Sequence, residues 1–260
     1  MVLERRLPYQ VQTRWDRIAT RVGWRNKVVC VGALAIRVRR LTCDEVFVAN
    51  VIEKGEYTHD GFGINPGDTV VDVGANIGTF AVLASTRAAR VLAIEPDSEN
   101  YRRLRENIAL NSAANILPIR AAVAKEAGTI VLQRAREGGY HSTTAGMMGE
   151  SPVAQETVEA RTLSEIFREH EVRRCHFLKL DCEGAEYDIL LTLPAVDFSR
   201  IDKVAMEWHG VEDRERRWLQ VSALAECLID HGFRLETYLE YEHFRCGMIR
   251  AVNEHRAGSP

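Results

Sequence analysis

Two apolar runs end in side chains that can move a proton or hold a cation. In Phe177-Leu-Lys-Leu-Asp-Cys-Glu-Gly-Ala-Glu186, strand alternation puts Lys179 and Asp181 on one face and Leu178 and Leu180 on the other. In Lys203-Val-Ala-Met-Glu-Trp-His209 it puts Ala205, Glu207 and His209 together, with Glu207 and His209 about 6–7 Å apart along the strand. His209 titrates near neutral pH and is a candidate base or orienting group, assisted by Glu207, with a satisfied structural histidine as the competing reading. Lys179 is either part of the chemistry or the partner of a nearby carboxylate. Glu183 and Glu186 open the helix after Asp181, where the helix dipole favours acids. Asp181, Glu207 and His209 also offer an O/O/N ligand set, but no tight ligand spacing accompanies them and a metal is not expected.

These groups need a cofactor platform, and Thr69-Val-Val-Asp-Val-Gly-Ala-Asn-Ile-Gly-Thr-Phe80 reads as a strand, a glycine turn and a helix start. Gly74 and Gly78 let the backbone turn sharply beside a ligand that faces the first helical N–H groups. Asn76 stands where the dinucleotide fingerprint requires its second glycine, which weighs against a nicotinamide cofactor. Val91 to Ile94 forms the next strand and ends in Glu95-Pro96, with Glu95 21 positions beyond Gly74. A carboxylate there can accept both hydroxyls of a ribose, although a helix-capping acid is the simpler alternative.

The remaining elements follow from periodicity. Leu7, Val11, Trp15, Ile18 and Val22 are spaced as one stripe of an amphipathic helix, and Val28 to Arg39 reads as a hairpin broken at Gly32. Thr42 and Glu45 have capping-box spacing before a short helix that ends near Gly55, and Thr162 and Glu165 repeat it. Helices are expected from the glycine turn to about Ala88, over Ser98 to Leu110 and over Arg214 to His231. A third strand spans Ile116 to Ala124 and pairs as a hairpin with Gly128 to Gln133. Arg234 to Tyr241 and Cys246 to Val252 close the sheet as an antiparallel pair. Glu137 to Gln155 lacks periodicity and reads as an acceptor loop or an ordinary surface loop. Trp208, Trp218 and Tyr238 are expected in the core.

With 260 residues and 46% apolar content, the chain can bury a full core. The formal charge of only −3 disfavours a nucleic-acid partner, but it divides as +8 over residues 1–40, a solvated face or a basic rim for an anionic substrate or carrier, and −11 over the remainder. The six cysteines form no C-x-x-C pair and suit a reducing compartment. No apolar run reaches transmembrane length and no secretion signal is evident, so a cytoplasmic location without a membrane span is expected.

The pattern D-x-G-x-N-x-G over Asp72 to Gly78, Glu56-Tyr57, Glu95-Pro96 and the D-x-E-G-A-E block at Asp181 to Glu186 together resemble the FkbM-type family of S-adenosylmethionine-dependent methyltransferases. The resemblance spans roughly residues 42–210. It implies an α/β, Rossmann-like class I methyltransferase fold: a mostly parallel seven-stranded sheet with an antiparallel C-terminal strand and helices on both faces, preceded by the N-terminal helix and hairpin extension read from periodicity, which lies outside the resemblance. Residues 1–41 form that basic extension and 42–260 the catalytic domain. Glu56, Tyr57, Asp72, Gly74, Ala75, Asn76, Gly78, Glu95, Pro96, Ala122 and Asp181 are the implied S-adenosylmethionine contacts, with the backbone at Ala121 and Ala122 bordering adenine. The implied activity is O-methylation of a small-molecule, natural-product or glycan hydroxyl, with Asp181, Lys179, Glu207 and His209 as the candidate catalytic set. A catalytically silent cofactor-binding partner protein and a nicotinamide oxidoreductase are the alternatives, and a homodimer through the N-terminal section is compatible with its apolar stripe.

Overall fold

The computed structural model describes residues 26–59, 61–134, 154–210, 213–240 and 245–256. The helix expected from Leu7 to Val22, the dimer contact assigned to it and residues 137–153 of the expected loop lie outside the described residues.

The first hairpin, β1 (Asn26–Val31) and β2 (Leu34–Arg39), is antiparallel as expected. It is tied to α3 (Ser98–Leu110), whose Asn107 accepts from the Arg37 N–H at 2.7 Å, while Asn111 accepts from the Ala35 N–H at 3.0 Å. α1 (Asp44–Val48) begins without the expected capping box. Glu45 instead pairs with Lys27, and buried Asp44 accepts from the Arg39 backbone N–H and guanidinium, so tertiary ion pairs take the local cap's place. A π-helical turn, Ala49–Glu53, continues α1.

The central sheet contains β3 (Thr69–Val73), β4 (Arg90–Ile94), β5 (Ile116–Ile119), β9 (Phe177–Leu180), β10 (Lys203–His209), β11 (Phe233–Glu240) and β12 (Cys246–Asn253), in the order β11-β12-β10-β9-β3-β4-β5. β5, β4, β3, β9 and β10 run parallel, and β12 is antiparallel to both its neighbours. The β-branched and apolar content of the central strands reflects helices on both faces. On one face α1, α2 (Thr79–Ser85) and α3 bury Val48, Phe80 and Leu104; on the other, α4 (Leu163–Glu169), α5 (Glu186–Leu190), α6 (Ala195–Phe198) and α7 (Arg214–Asp230) bury Phe167, Ile189, Phe198 and Leu224. The chain leaves β3 towards β4 on one side and returns to β9 on the other, which creates a crevice at the C-terminal ends of β3 and β9.

Three further expectations fail. The third strand stops at Ile119, and the segment after it, β6 (Ala122–Val123), joins a separate three-stranded sheet with β7 (Gly128–Arg134) and β8 (Ala154–Arg161). β7 pairs antiparallel with β8, not with the third strand, from Gly128 opposite Ala160 to Arg134 opposite Ala154. Pairing with β8 buries Leu132 against Ala122 and Val158, and Arg134 reaches the carboxylate of Asp97, the N-cap of α3, at 2.6 Å. Trp218 is 58% exposed, whereas Trp208 is buried as expected. The capping box at Thr162 and Glu165 forms in full.

Candidate functional site at the β3 and β9 crevice

The glycine turn is fixed by close approach. Gly74 has φ +75°, and a Cβ there would lie 1.8 Å from the Asp181 carbonyl oxygen at the end of β9. Gly78 has φ +88°, and its Cβ would collide with Leu104 of α3. Asn76 adopts φ +51°, a left-handed conformation that asparagine tolerates, and so fills a position where a dinucleotide site uses glycine.

Lys179 joins the two strands. Its buried ammonium donates to the Gly74 carbonyl at 2.7 Å and pairs with Asp72 at 3.2 Å and Asp181 at 3.5 Å. Burial pulls the lysine pKa down, but the two carboxylates outweigh it and raise it, so the charge persists at neutral pH. Asp72 is buried and its carboxyl is pushed up by burial, which the lysine opposes. Tyr57 donates its hydroxyl to Asp181 Oδ2 at 2.8 Å. Lys179, expected as a catalytic group or the partner of a carboxylate, is placed as the partner of two.

Glu95, buried at the end of β4, accepts from the Asn76 N–H at 2.8 Å and the Asp97 N–H at 2.9 Å. Burial raises its pKa to about 7. Glu95, Pro96, Ala121, Ala122 and Leu132 line a small recess that shares Gly74, Asn76 and Asp181 with a larger cavity of about 750 Å³. Asn76 Oδ1 and Thr79 Oγ1, both buried, lack a hydrogen-bond partner among the described residues and border that cavity. A side-chain-free glycine cradle, an anchored carboxylate and orphaned polar atoms fit a nucleoside whose hydroxyls and amino group complete these bonds.

At the far end of the cavity, β10 delivers Glu207 and His209 beside Asp181. His209 Nδ1 lies 3.2 Å from Glu186 and Nε2 lies 3.6 Å from Glu183. Burial lowers the imidazole pKa, yet these two acids reverse the balance and raise it well above the ordinary value. Glu183 is pushed up to about 8 by burial, and Glu207 is raised by burial and by Asp181. Glu186 is itself fixed by the N–H groups of Cys182 and Gly184, so the acid after the glycine, which helix-dipole reasoning leaves ambiguous, supports the histidine. Glu56 lines the cavity while Arg250 donates to its carbonyl. Phe47, Asn50, Val51 and Lys54, from α1 and the π-helical turn, form a wall that sequence reasoning misses as part of the site. Their three- and four-residue spacing is the available signal.

A family model described as the methyltransferase FkbM domain matches residues 72–243. The hexuronic acid methyltransferase AglP of Haloferax volcanii is 28% identical over 69% of this chain and 68% of that protein. The 31-O-demethyl-FK506 methyltransferase FkbM of Streptomyces tacrolimicus is 28% identical over 68% and 76%, respectively. The AMB antimetabolite synthetase AmbE of Pseudomonas aeruginosa is 25% identical over 85% of this chain, which spans 12% of that protein's length. The crystal structure of methyltransferase FkbM from Methylobacillus flagellatus KT superposes with a TM-score of 0.52 at 14% identity, covering 79% of this chain and 47% of the other. No helix among the described residues is long and apolar enough to cross a membrane.

Replacing Lys179 by Met leaves Asp72 and Asp181 facing each other without their cation. The expected loss of stability is about 3–5 kcal/mol, the range for breaking a buried pair, read as a lower urea midpoint by circular dichroism. An unchanged midpoint contradicts the bridging role of Lys179.

Proposed function

The chain belongs to the FkbM methyltransferase family, and from that premise we propose that it is an S-adenosylmethionine-dependent O-methyltransferase acting on a hydroxyl of a small molecule, natural product or glycan. The observation that carries the cofactor half is Glu95, anchored on the Asn76 N–H of the glycine turn at the end of the strand next to β3. In this reading Glu95 accepts the ribose hydroxyls, Ala121 and Ala122 border the base, and Asp181 faces the positively charged end of the cofactor. Bound S-adenosylmethionine supplies a methyl group already activated by its sulfonium. The protein's work is therefore alignment and exclusion of water. Asp181, Glu207 and His209 orient the acceptor oxygen in line with that methyl, and the apolar wall of Phe47, Val51 and Phe80 takes the acceptor's body. The oxygen assignment is supported by the similarity to a relative named for 31-O-demethyl-FK506, and the glycan option by one named for hexuronic acid.

Methyl-labelled S-adenosylmethionine, offered with uronic-acid glycosides and polyketide alcohols, tests this reading. Label is expected on an acceptor oxygen by mass spectrometry, and to be lost in His209→Ala while S-adenosylhomocysteine still binds. Label on nitrogen, or full activity of the variant, contradicts it.

Glu95 gives a pH signature. Ribose hydroxyls donate to the ionised carboxylate, and the free group titrates at about 7, so affinity for S-adenosylhomocysteine should rise with pH through that value. Glu95→Ala removes two bonds worth about 1.5–3 kcal/mol each, so calorimetry should show affinity weaker by about a hundredfold or more. Glu95→Gln should bind weakly with a flat pH profile. Wild-type affinity in either variant refutes the ribose role.

A further inference from the structure

We propose that Asp181, Glu207 and His209 form a site for one divalent cation of the magnesium and manganese class. The cation's position follows from the side chains alone; its use, to hold the acceptor oxygen, rests on the methyltransferase reading.

One ligand atom from each residue lies within 4.8 Å of the others. A single magnesium-class ion with bonds of about 2.0–2.1 Å holds its ligand atoms no more than about 4.2 Å apart, so the three side chains draw together slightly on binding. The three residues come from the ends of adjacent parallel strands, where Ala205 pairs with Lys179 and Met206 with Leu180, so sheet register fixes their spacing. Each also presents a usable atom. Tyr57 and Lys179 both engage Oδ2 of Asp181, which leaves Oδ1 available. The Cys246 thiol, a weak donor, reaches the Glu207 carboxylate. His209 has Nδ1 on Glu186, which two backbone N–H groups anchor, while Nε2 lies 3.6 Å from Glu183, a carboxylate that turns aside or joins the ion on binding. A carboxylate behind an imidazole orients the ring and directs Nε2 to a metal. On binding, Nε2 releases its proton to solvent.

Charge makes the same demand. Asp181, Glu183, Glu186 and Glu207 crowd one imidazole, and the nearby Lys179 ammonium is already shared with Asp72. Arg245 and Arg250 also line the cavity, but a cation held directly between these carboxylates offsets the cost of burying them side by side. Two carboxylates with one nitrogen suit a hard, oxygen-preferring ion with open positions. Those positions face the cavity of about 750 Å³, where an acceptor hydroxyl bound to the ion becomes more acidic and is fixed in place.

Manganese(II) titration of the full chain in the presence of S-adenosylhomocysteine, followed by electron paramagnetic resonance, tests the site. One ion per chain is expected, with nitrogen modulation in the spin echo that disappears in His209→Gln. Glu207→Gln should weaken manganese at least about tenfold, and Glu186→Gln about tenfold, with S-adenosylhomocysteine affinity retained; circular dichroism melts check that the variants fold, and His209→Gln serves if Glu207→Gln does not. S-adenosylhomocysteine binding without stoichiometric manganese, or manganese binding indifferent to all three substitutions, overturns the cation site and leaves the methyltransferase reading standing. Manganese bound with the nitrogen signature but without S-adenosylhomocysteine affinity supports the cation site and contradicts the cofactor assignment.

Discussion

The buried ammonium of Lys179 is the interaction on which the rest of the crevice depends. It binds the Gly74 carbonyl, Asp72 on β3 and Asp181 at the end of β9. An ion desolvated to this degree is tolerated only when its partners surround it, so β3 and β9 must meet in one register. Gly74 completes the constraint, because only a residue without Cβ allows the Asp181 backbone so close. The same contact that joins the two halves of the sheet therefore aims Asp181 into the cavity.

From this junction the site divides into two ends. Towards β4, Glu95 is held by two backbone N–H groups and faces a small recess that opens into the larger cavity. Towards β10, the acids after Asp181 arrange themselves around His209, with Glu186 behind the ring and Glu183 near its outer nitrogen. A cation held by Asp181, Glu207 and His209 would sit among the carboxylates of this second end. The wall from α1 and the π-helical turn is a separate contribution, and it borders the larger cavity from one side with Phe47 and Val51 beside Asn50 and Lys54.

The sequence makes the sheet's central strands and both ends of the site legible, because each couples an apolar run to a turn whose residue types have one economical use. Asn76 in the glycine turn and Glu95 at the end of the next strand lie side by side where their spacing puts them. What escapes is what tertiary contact decides. β8 carries only Val158 and Ala160 as buried positions, too weak an alternation to announce a strand, so its pairing with β7 is not visible. Thr42 loses its capping role because Lys27 takes Glu45 and Arg39 takes Asp44. Trp218 has the hydrophobicity of a core residue yet lies on the outer side of α7. The role of Glu186 depends on the ring it supports, 23 residues away in sequence.

Equilibrium dialysis with radiolabelled S-adenosylmethionine tests the central claim most directly, since it asks only what the β3 and β9 crevice holds. The account predicts saturable binding of one molecule per chain, displaced by S-adenosylhomocysteine and untouched by NAD. Absence of saturable binding, or displacement by NAD, would contradict it.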